Sequence, residues 1–265
     1  MKLLELNNIV KTYQRGGWFD RGKKLTAVSQ VSLDVPEGGR IGLIGRSGAG
    51  KSTLGRIILG LERPDNGTVR YKGKDVERFT RGDWKQFRRE VQVVFQNAIG
   101  SVNPRWKIFD IISEPLRNAG DMPNSKCKER VREMLEMVGL CPEDSKRYPH
   151  QFSGGQLQRV CIARALAIKP QLVLLDEAVS SLDMLIQAQI IQLLRDLQDE
   201  IGVSYLFISH DIRVVAGFCD VVAIMHEGRI SSTVDDLSQA KHAEDPILRQ
   251  LANSILSAWP QTISC

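Results

Sequence analysis

The chain has 265 residues, 42% of them hydrophobic and 25% charged, with a formal net charge of +5. That length buries one large or two small cores, and that composition excludes a disordered or collagen-like chain. No apolar run approaches the roughly 18–20 residues that span a bilayer, and the five cysteines form no CxxC pair, which points to reduced thiols.

The opening "MKLLELNNIVKTY" lacks the apolar region and small-residue cleavage site of a secretory leader and reads as a first strand. A polar loop, "QRGGWFDRGKK", leads to a second strand, "AVSQVSLDV". The turn "PEGG" then introduces a short buried strand, "RIGLIG", and a helix is expected over "STLGRIILGLE". Strands follow at "GTVRYKG" and "VQVVFQ". The basic stretch between them, "RGDWKQFRRE", is interrupted by Asp83 and Glu90 and reads as an exposed helix face, so no nucleic-acid partner is expected. From Asn97 to His150 the pattern turns helical. Val131, Met134, Leu135 and Val138 fall at i, i+3, i+4 and i+7, with Ser125 as the expected N-cap and Gly139 near the stop. Cys161 lies in an apolar helix as a small core residue. The strand "QLVLLD", the amphipathic helix "MLIQAQIIQLLRDLQ", the strand "VSYLFIS", a short helix, and the strands "DVVAIM" and "RISSTV" complete the alternation. Such alternation implies a mostly parallel sheet between helix layers. A last helix is expected from residue 241.

Chemistry concentrates in a few stretches. "GRSGAGKS", from Gly45 to Ser52, fits G-x-x-x-x-G-K-[ST] between a buried strand and a helix. Its glycines let successive backbone N–H groups form an anion-binding nest, Lys51 brings a point charge to the β- and γ-phosphates, and the Ser52 hydroxyl suits Mg²⁺. "LVLLDE" ends a buried strand in Asp176, a magnesium partner, followed by Glu177, a candidate general base. Gln96, His210 and Tyr13 each end a strand or follow one; taken singly, each has a structural reading as well. "QFSGGQLQRV" resembles a phosphate loop without its lysine or its leading strand.

Tyr13, GRSGAGKS, Gln96, SGGQ, LLDE, SSLD and His210, in this order, resemble the ATP-binding cassette ATPases over nearly the whole chain. The resemblance implies an α/β fold: a P-loop NTPase (RecA-like) core with a mostly parallel sheet, an N-terminal antiparallel β subdomain and an inserted α-helical subdomain. Residues 1–265 would form one cassette. Its core and β subdomain would lie in 1–96 and 151–240, its helical subdomain in 97–150 with the signature motif at the end, and its C-terminal helix in 241–265.

By the same resemblance the ligands are ATP and Mg²⁺. Tyr13 stacks on adenine, and Gly45, Arg46, Ser47, Gly48, Ala49, Gly50, Lys51, Ser52 and Thr53 hold the triphosphate. Ser52, Gln96 and Asp176 hold the metal, while Glu177, His210 and Gln96 form the catalytic set. Ser153, Gly154, Gly155, Gln156 and Asp183 contact the nucleotide of a second, head-to-tail subunit. The missing lysine of "QFSGGQLQRV" is then no defect, because the lysine belongs to the other subunit's loop.

A finer resemblance lies in "FRREVQVVFQNAIGSVNPRWKIFDIISEPL", Phe87 to Leu116, which is similar to the oligopeptide, dipeptide and nickel importer branch. Ala178 and Val179 depart from the D-E-P-T-S-A-L-D of peptide importers and resemble the nickel-importing members. The single Cys265 cannot form the paired-cysteine element of the longer peptide importers. The expectation is an ATPase subunit, peripheral at the cytoplasmic face of the inner membrane, that drives uptake of nickel ion or a nickel chelate. Its partners would be a homologous ATPase subunit in a hetero- or homodimer, two transmembrane permease subunits and, indirectly, a solute-binding protein. Docking would use the groove between the Gln96 loop and the helical segment. Import of oligopeptides or dipeptides stands as an alternative, and a soluble cassette acting on DNA or ribosomes as a distant one.

Overall fold

A computed structural model describes residues 1–14, 24–120 and 122–235. Two long strands, β1 (Lys2–Gln14) and β2 (Lys24–Pro36), pair antiparallel from Lys2 opposite Pro36 to Gln14 opposite Lys24, with bulges on the way. Next come β3 (Arg40–Ile44) and α1 (Lys51–Ile58). They are followed by β4 (Asn66–Tyr71), the short β5 (Lys74–Asp75), α2 (Arg81–Glu90) and β6 (Val91–Phe95). β4 returns beside β1, which gives a four-stranded antiparallel sheet in the order β2-β1-β4-β5.

Two readings are refined here. The helix over "STLGRIILGLE" stops at Ile58, short of Glu62. Gly60 N–H bonds to Ile57 O and Leu61 N–H to Arg56 O, a paired closure that turns the chain out of the helix. The basic helix α2 is not merely a solvated face. Thr80 and Asp83 cap it reciprocally, and its other side carries Phe87, 2% exposed, with Trp84 edge-on at 5.6 Å.

The helical stretch holds α3 (Ile108–Ala119) and α4 (Asn124–Met137). The predicted stripe Val131, Met134, Leu135 and Val138 is no more than 1% exposed. Ser125 is not the N-cap. The cap lies two residues earlier, at Pro123, whose ring fixes φ near −57° and whose carbonyl accepts the first helical bond from Cys127 N–H. Gly139 and Leu140 close the other end as Gly60 and Leu61 close α1.

The chain continues through α5 (Gly154–Leu166), β7 (Leu172–Asp176), α6 (Met184–Ile201) and β8 (Ser204–Ser209). It then adds α7 (Ile212–Ala216), β9 (Val221–His226) and β10 (Arg229–Val234). The second sheet runs β10-β9-β3-β8-β7-β6, parallel except for the β9–β10 hairpin. Its strands are apolar on both faces because each face has its own core. Ile41, Leu43, Leu172, Leu174, Leu206 and Ile208 face α1 and the antiparallel sheet. Their alternates Ile44, Val173, Leu175, Tyr205 and Phe207 face the helices α3 to α7. The fold is thus an α/β one, with a mostly parallel sheet, an antiparallel sheet at its start and helices around it.

Among the described residues no helix is long and apolar enough to cross a membrane. Cys127, Cys141, Cys161 and Cys219 are free thiols, with Cys127 and Cys161 buried. The helix expected over 241–265, and Cys265 with it, lies outside the described residues.

Candidate nucleotide site

The strand register decides which predicted residues meet. Ile44 of β3 lies opposite Ser209 of β8, Ile208 of β8 opposite Asp176 of β7, and Asp176 opposite Phe95 of β6. The next residues along the four adjacent strands are Gly45, His210, Glu177 and Gln96. One end of the parallel sheet, the C-terminal one where such folds take ligands, therefore gathers them.

Gly45 opens the phosphate loop and Lys51 is the first residue of α1. Gly50 holds φ +103°, and a Cβ there would come within 2.1 Å of the Ala27 carbonyl oxygen, so only glycine lets the loop pass β2. This packing leaves a run of backbone N–H groups at a helix start, a natural phosphate cradle. Lys51 is 5% exposed and its ammonium donates to Gly45 O at 2.7 Å and Arg46 O at 3.1 Å. Burial pulls its pKa down, against the opposing pull of the Glu177 and Asp176 carboxylates. Ser52 is exposed and Thr53 buried.

Asp176 shares this pocket. Burial, and then the neighbouring Glu177 charge, push its carboxyl above the usual range, while Lys51 partly offsets them. Two carboxylates crowded beside a buried lysine fit a divalent cation, which would relieve their mutual repulsion. Glu177 holds a left-handed backbone, φ +49°, fixed by its N–H on Ile208 O and by Ser180, whose N–H and hydroxyl both donate to its carbonyl. Its side chain meets His210, with Nδ1 3.4 Å from Oε2. An acid and an imidazole in contact, next to a phosphate cradle, can orient a water and take its proton. Gln96 is exposed at the end of edge strand β6.

Tyr13 stands next to last in β1, where its hydroxyl lies 3.5 Å from Thr53 Oγ1 of α1 and donates to Glu62 Oε2 at 2.8 Å. The tie to Glu62 escaped the sequence reading, since 49 residues separate the pair.

The second group of predicted residues lies together elsewhere. Ser153 caps α5, its Oγ accepting from Gln156 N–H at 3.3 Å while Gln156 Oε1 accepts from Ser153 N–H at 3.0 Å. This is a capping box, and Ser-x-x-Gln was its signal in the sequence. Ser153, Gly154 and Gln156 are exposed. A Cβ on Gly155 would meet Ile186 Cγ2 at 2.6 Å, so glycine is what allows α5 to start against α6. Asp183 caps α6 through Ile186 N–H at 3.0 Å. Ala178 and Val179, at most 2% exposed, pack into the helical-side core.

A groove of about 1110 Å³ opens between α2, edge strand β6 and α3, lined by Arg81, Lys85, Arg88, Arg89 and Arg164 with Glu114 among them.

The chain is similar to known proteins over most of its length. Residues 28–180 match the family described as ABC transporter. The chain is 45% identical over 262 residues to the nickel import ATP-binding protein NikE of Rhodospirillum rubrum, covering 99% of this chain and 94% of that protein. It is 42% identical over 260 residues to the protein of that name in Escherichia coli O157:H7, with 98% and 97% covered. Among solved structures it resembles the ATP-binding cassette MJ0796, described as a dimeric post-hydrolysis state bound to ADP and Pi. That likeness has a TM-score of 0.77 and 31% identity, over 88% of this chain and 98% of that one. It also resembles cbiO1 of Clostridium perfringens, described as part of the ABC transporter complex cbiONQ. There the TM-score is 0.79 and the identity 25%, over 97% and 96% of the two chains.

Proposed function

The chain belongs to the ABC transporter family, and from that premise we propose that it is the ATP-hydrolysing subunit of an importer that moves nickel ion, or a nickel chelate, across the cytoplasmic membrane. The observation that carries the cargo is the full-length likeness to proteins named for nickel import. The observation that supports hydrolysis is the meeting of the phosphate loop, Asp176, Glu177 and His210 on adjacent strand ends.

In this reading ATP is the substrate. The N–H groups of 45–53 and the Lys51 ammonium hold its phosphates. Lys51 exchanges its two carbonyl partners for phosphate oxygens, a stronger charge-assisted pairing. Ser52, Asp176 and Gln96 would hold Mg²⁺, which screens the phosphate charge. Glu177 takes the proton of the attacking water, His210 steadies the Glu177 carboxylate, and Gln96 orients the water.

Ser153, Gly154, Gly155, Gln156 and Asp183 serve the nucleotide of a second, homologous subunit, an arrangement supported by the dimeric cassette that the chain resembles. Closure of that pair would drive the transporter. Two permease subunits supply the membrane path, and a solute-binding protein delivers the cargo to them. The subunit sits peripherally at the cytoplasmic face, docked through the groove between the Gln96 loop and the helical segment.

The test is radioactive nickel uptake by cells expressing the chain with its permeases, set against Glu177→Gln. The variant is expected to bind ATP, lose hydrolysis and abolish uptake. Uptake of labelled dipeptide in place of nickel overturns the cargo, and near wild-type hydrolysis by the variant overturns the base.

A further inference from the structure

The segment between α1 and β4 does more than connect them. It crosses the end of β1 and grips it at consecutive residues. Asp65 N–H bonds to Val10 O at 2.8 Å, and Thr12 N–H bonds to Asp65 Oδ2 at 2.7 Å. Lys11 donates to Arg63 O at 2.8 Å and to Asp65 Oδ1 at 3.1 Å, and it reaches within 3.6 Å of Glu62 Oε1. Glu62 then takes the Tyr13 hydroxyl at 2.8 Å and Arg56 Nε at 3.2 Å on its other oxygen. Arg56 Nη2 closes the ring by donating to Tyr13 Oη at 3.3 Å and Thr53 Oγ1 at 3.2 Å.

This is not a loose surface ion pair. The Lys11 side chain is 15% exposed and that of Glu62 21%, while their partners Arg56 and Asp65 stand about half in water, so the network rests on its shared geometry more than on any one ion pair. Burial disfavours the Glu62 charge, yet the bonds from Tyr13 and Arg56 and the Lys11 charge hold its carboxyl below the usual range. Holding Oη in place fixes the first torsion of the Tyr13 side chain; because Oη lies on the axis of the second, the ring plane is restrained through the preference of a phenol for partners in its own plane, and Glu62 and Arg56 supply two such partners. Lys11 Nζ stands over one face of the ring, 5.9 Å from its centroid.

We propose that Glu62 is a positioning residue for the nucleotide base: with Arg56 it locks the Tyr13 ring, through its hydroxyl, in the orientation that stacks on adenine. The proposal rests on the reading of Tyr13 as the adenine-stacking residue. Without the tether the ring is ordered at the expense of binding. Freezing one such side chain weakens affinity by roughly three- to tenfold.

The test is calorimetric titration of the full-length chain with Mg-ATP, and with inorganic tripolyphosphate as a probe that has no base. Glu62→Ala and Tyr13→Phe are each expected to weaken ATP roughly three- to tenfold, with no further loss in the double variant, since both cut the same bond. Glu62→Gln, which keeps an acceptor, retains most of the affinity. Tripolyphosphate binding is unchanged throughout, and in the assembled transporter the loss falls on KM with kcat kept. Tyr13→Ala separates the two levels of the reasoning. If it weakens ATP while Tyr13→Phe and Glu62→Ala do not, the tether is refuted and the stacking stands. If Tyr13→Ala also leaves ATP binding intact, the stacking itself is refuted. Equal losses for ATP and tripolyphosphate would mean that Glu62 supports the phosphate loop and not the base, which overturns the proposal.

Discussion

Gly155→Ala is the sharpest probe of how the signature helix is seated. The added methyl would lie 2.6 Å from Ile186 Cγ2, well inside van der Waals contact. The obstructing atom is not the tip of a flexible chain. Cγ2 hangs directly on Cβ, and a β-branched residue in a helix has essentially one good χ1. Ile186 must rotate away from that well, or α5 and α6 must part, at about 1–2 kcal/mol either way. For a chain of this size that lowers the melting midpoint by roughly 2–4 °C. Ile186 is half-buried, so its rotation toward solvent sets the lower bound. Thermal unfolding by circular dichroism reads the shift. The decisive control is Gly155→Ala with Ile186→Ala, which deletes the clashing methyl. The double variant is expected to lose less than the sum of the two single losses. Strict additivity refutes the steric reasoning.

Three further outcomes are expected. Ser153→Arg leaves ATP binding to the isolated subunit near wild type but blocks hydrolysis by the assembled pair at the partner's site; unimpaired turnover refutes the shared-site reading. Asp176→Asn raises the melting midpoint of the nucleotide-free protein at neutral pH. The folded carboxyl is pushed above its ordinary value by burial, so its charge costs stability at any pH above the raised value. The same variant loses the extra stabilisation that Mg-ATP gives, and a lower midpoint without nucleotide contradicts the assignment. Asp83, held down at about 2 by the Lys74 ammonium and the Thr80 donors, contributes stability above its ordinary value of 3.8 that is lost as pH falls toward 2. The unfolding gap between wild type and Asp83→Asn should therefore close over that window, and a pH-independent gap would show that the charge is not what matters.

The residues legible in the sequence were those whose reason is local. The phosphate loop, the strand ending in Asp176 and the stripe Val131–Val138 each declare themselves within a dozen residues. Strand pairing is not local. Nothing in "VQVVFQ" says that it forms the sheet edge beside β7, yet that placement sets Gln96 next to Glu177. Ser125 misled because a good capping residue stood one place inside a helix already started by Pro123. The tie between Tyr13 and Glu62 depends on a connection crossing back over β1, a fact of topology invisible along the chain. The sequence offered Gly155 as a phosphate-site glycine, whereas the reason visible in the fold, close contact with Ile186, required α6 in place.

The signature turn satisfies itself. Ser153 and Gln156 occupy each other's backbone donors, while the N–H groups that remain at the helix start face water, which hydrates them at little cost. A half-built site of this kind imposes no penalty for standing empty. The start of this helix needs no companion to satisfy its cap. A phosphate oxygen arriving later has only loosely held water to displace. On the proposed shared-site reading, meeting a partner becomes a question of concentration and nucleotide supply, and the energy of ATP binding goes into joining two finished molecules.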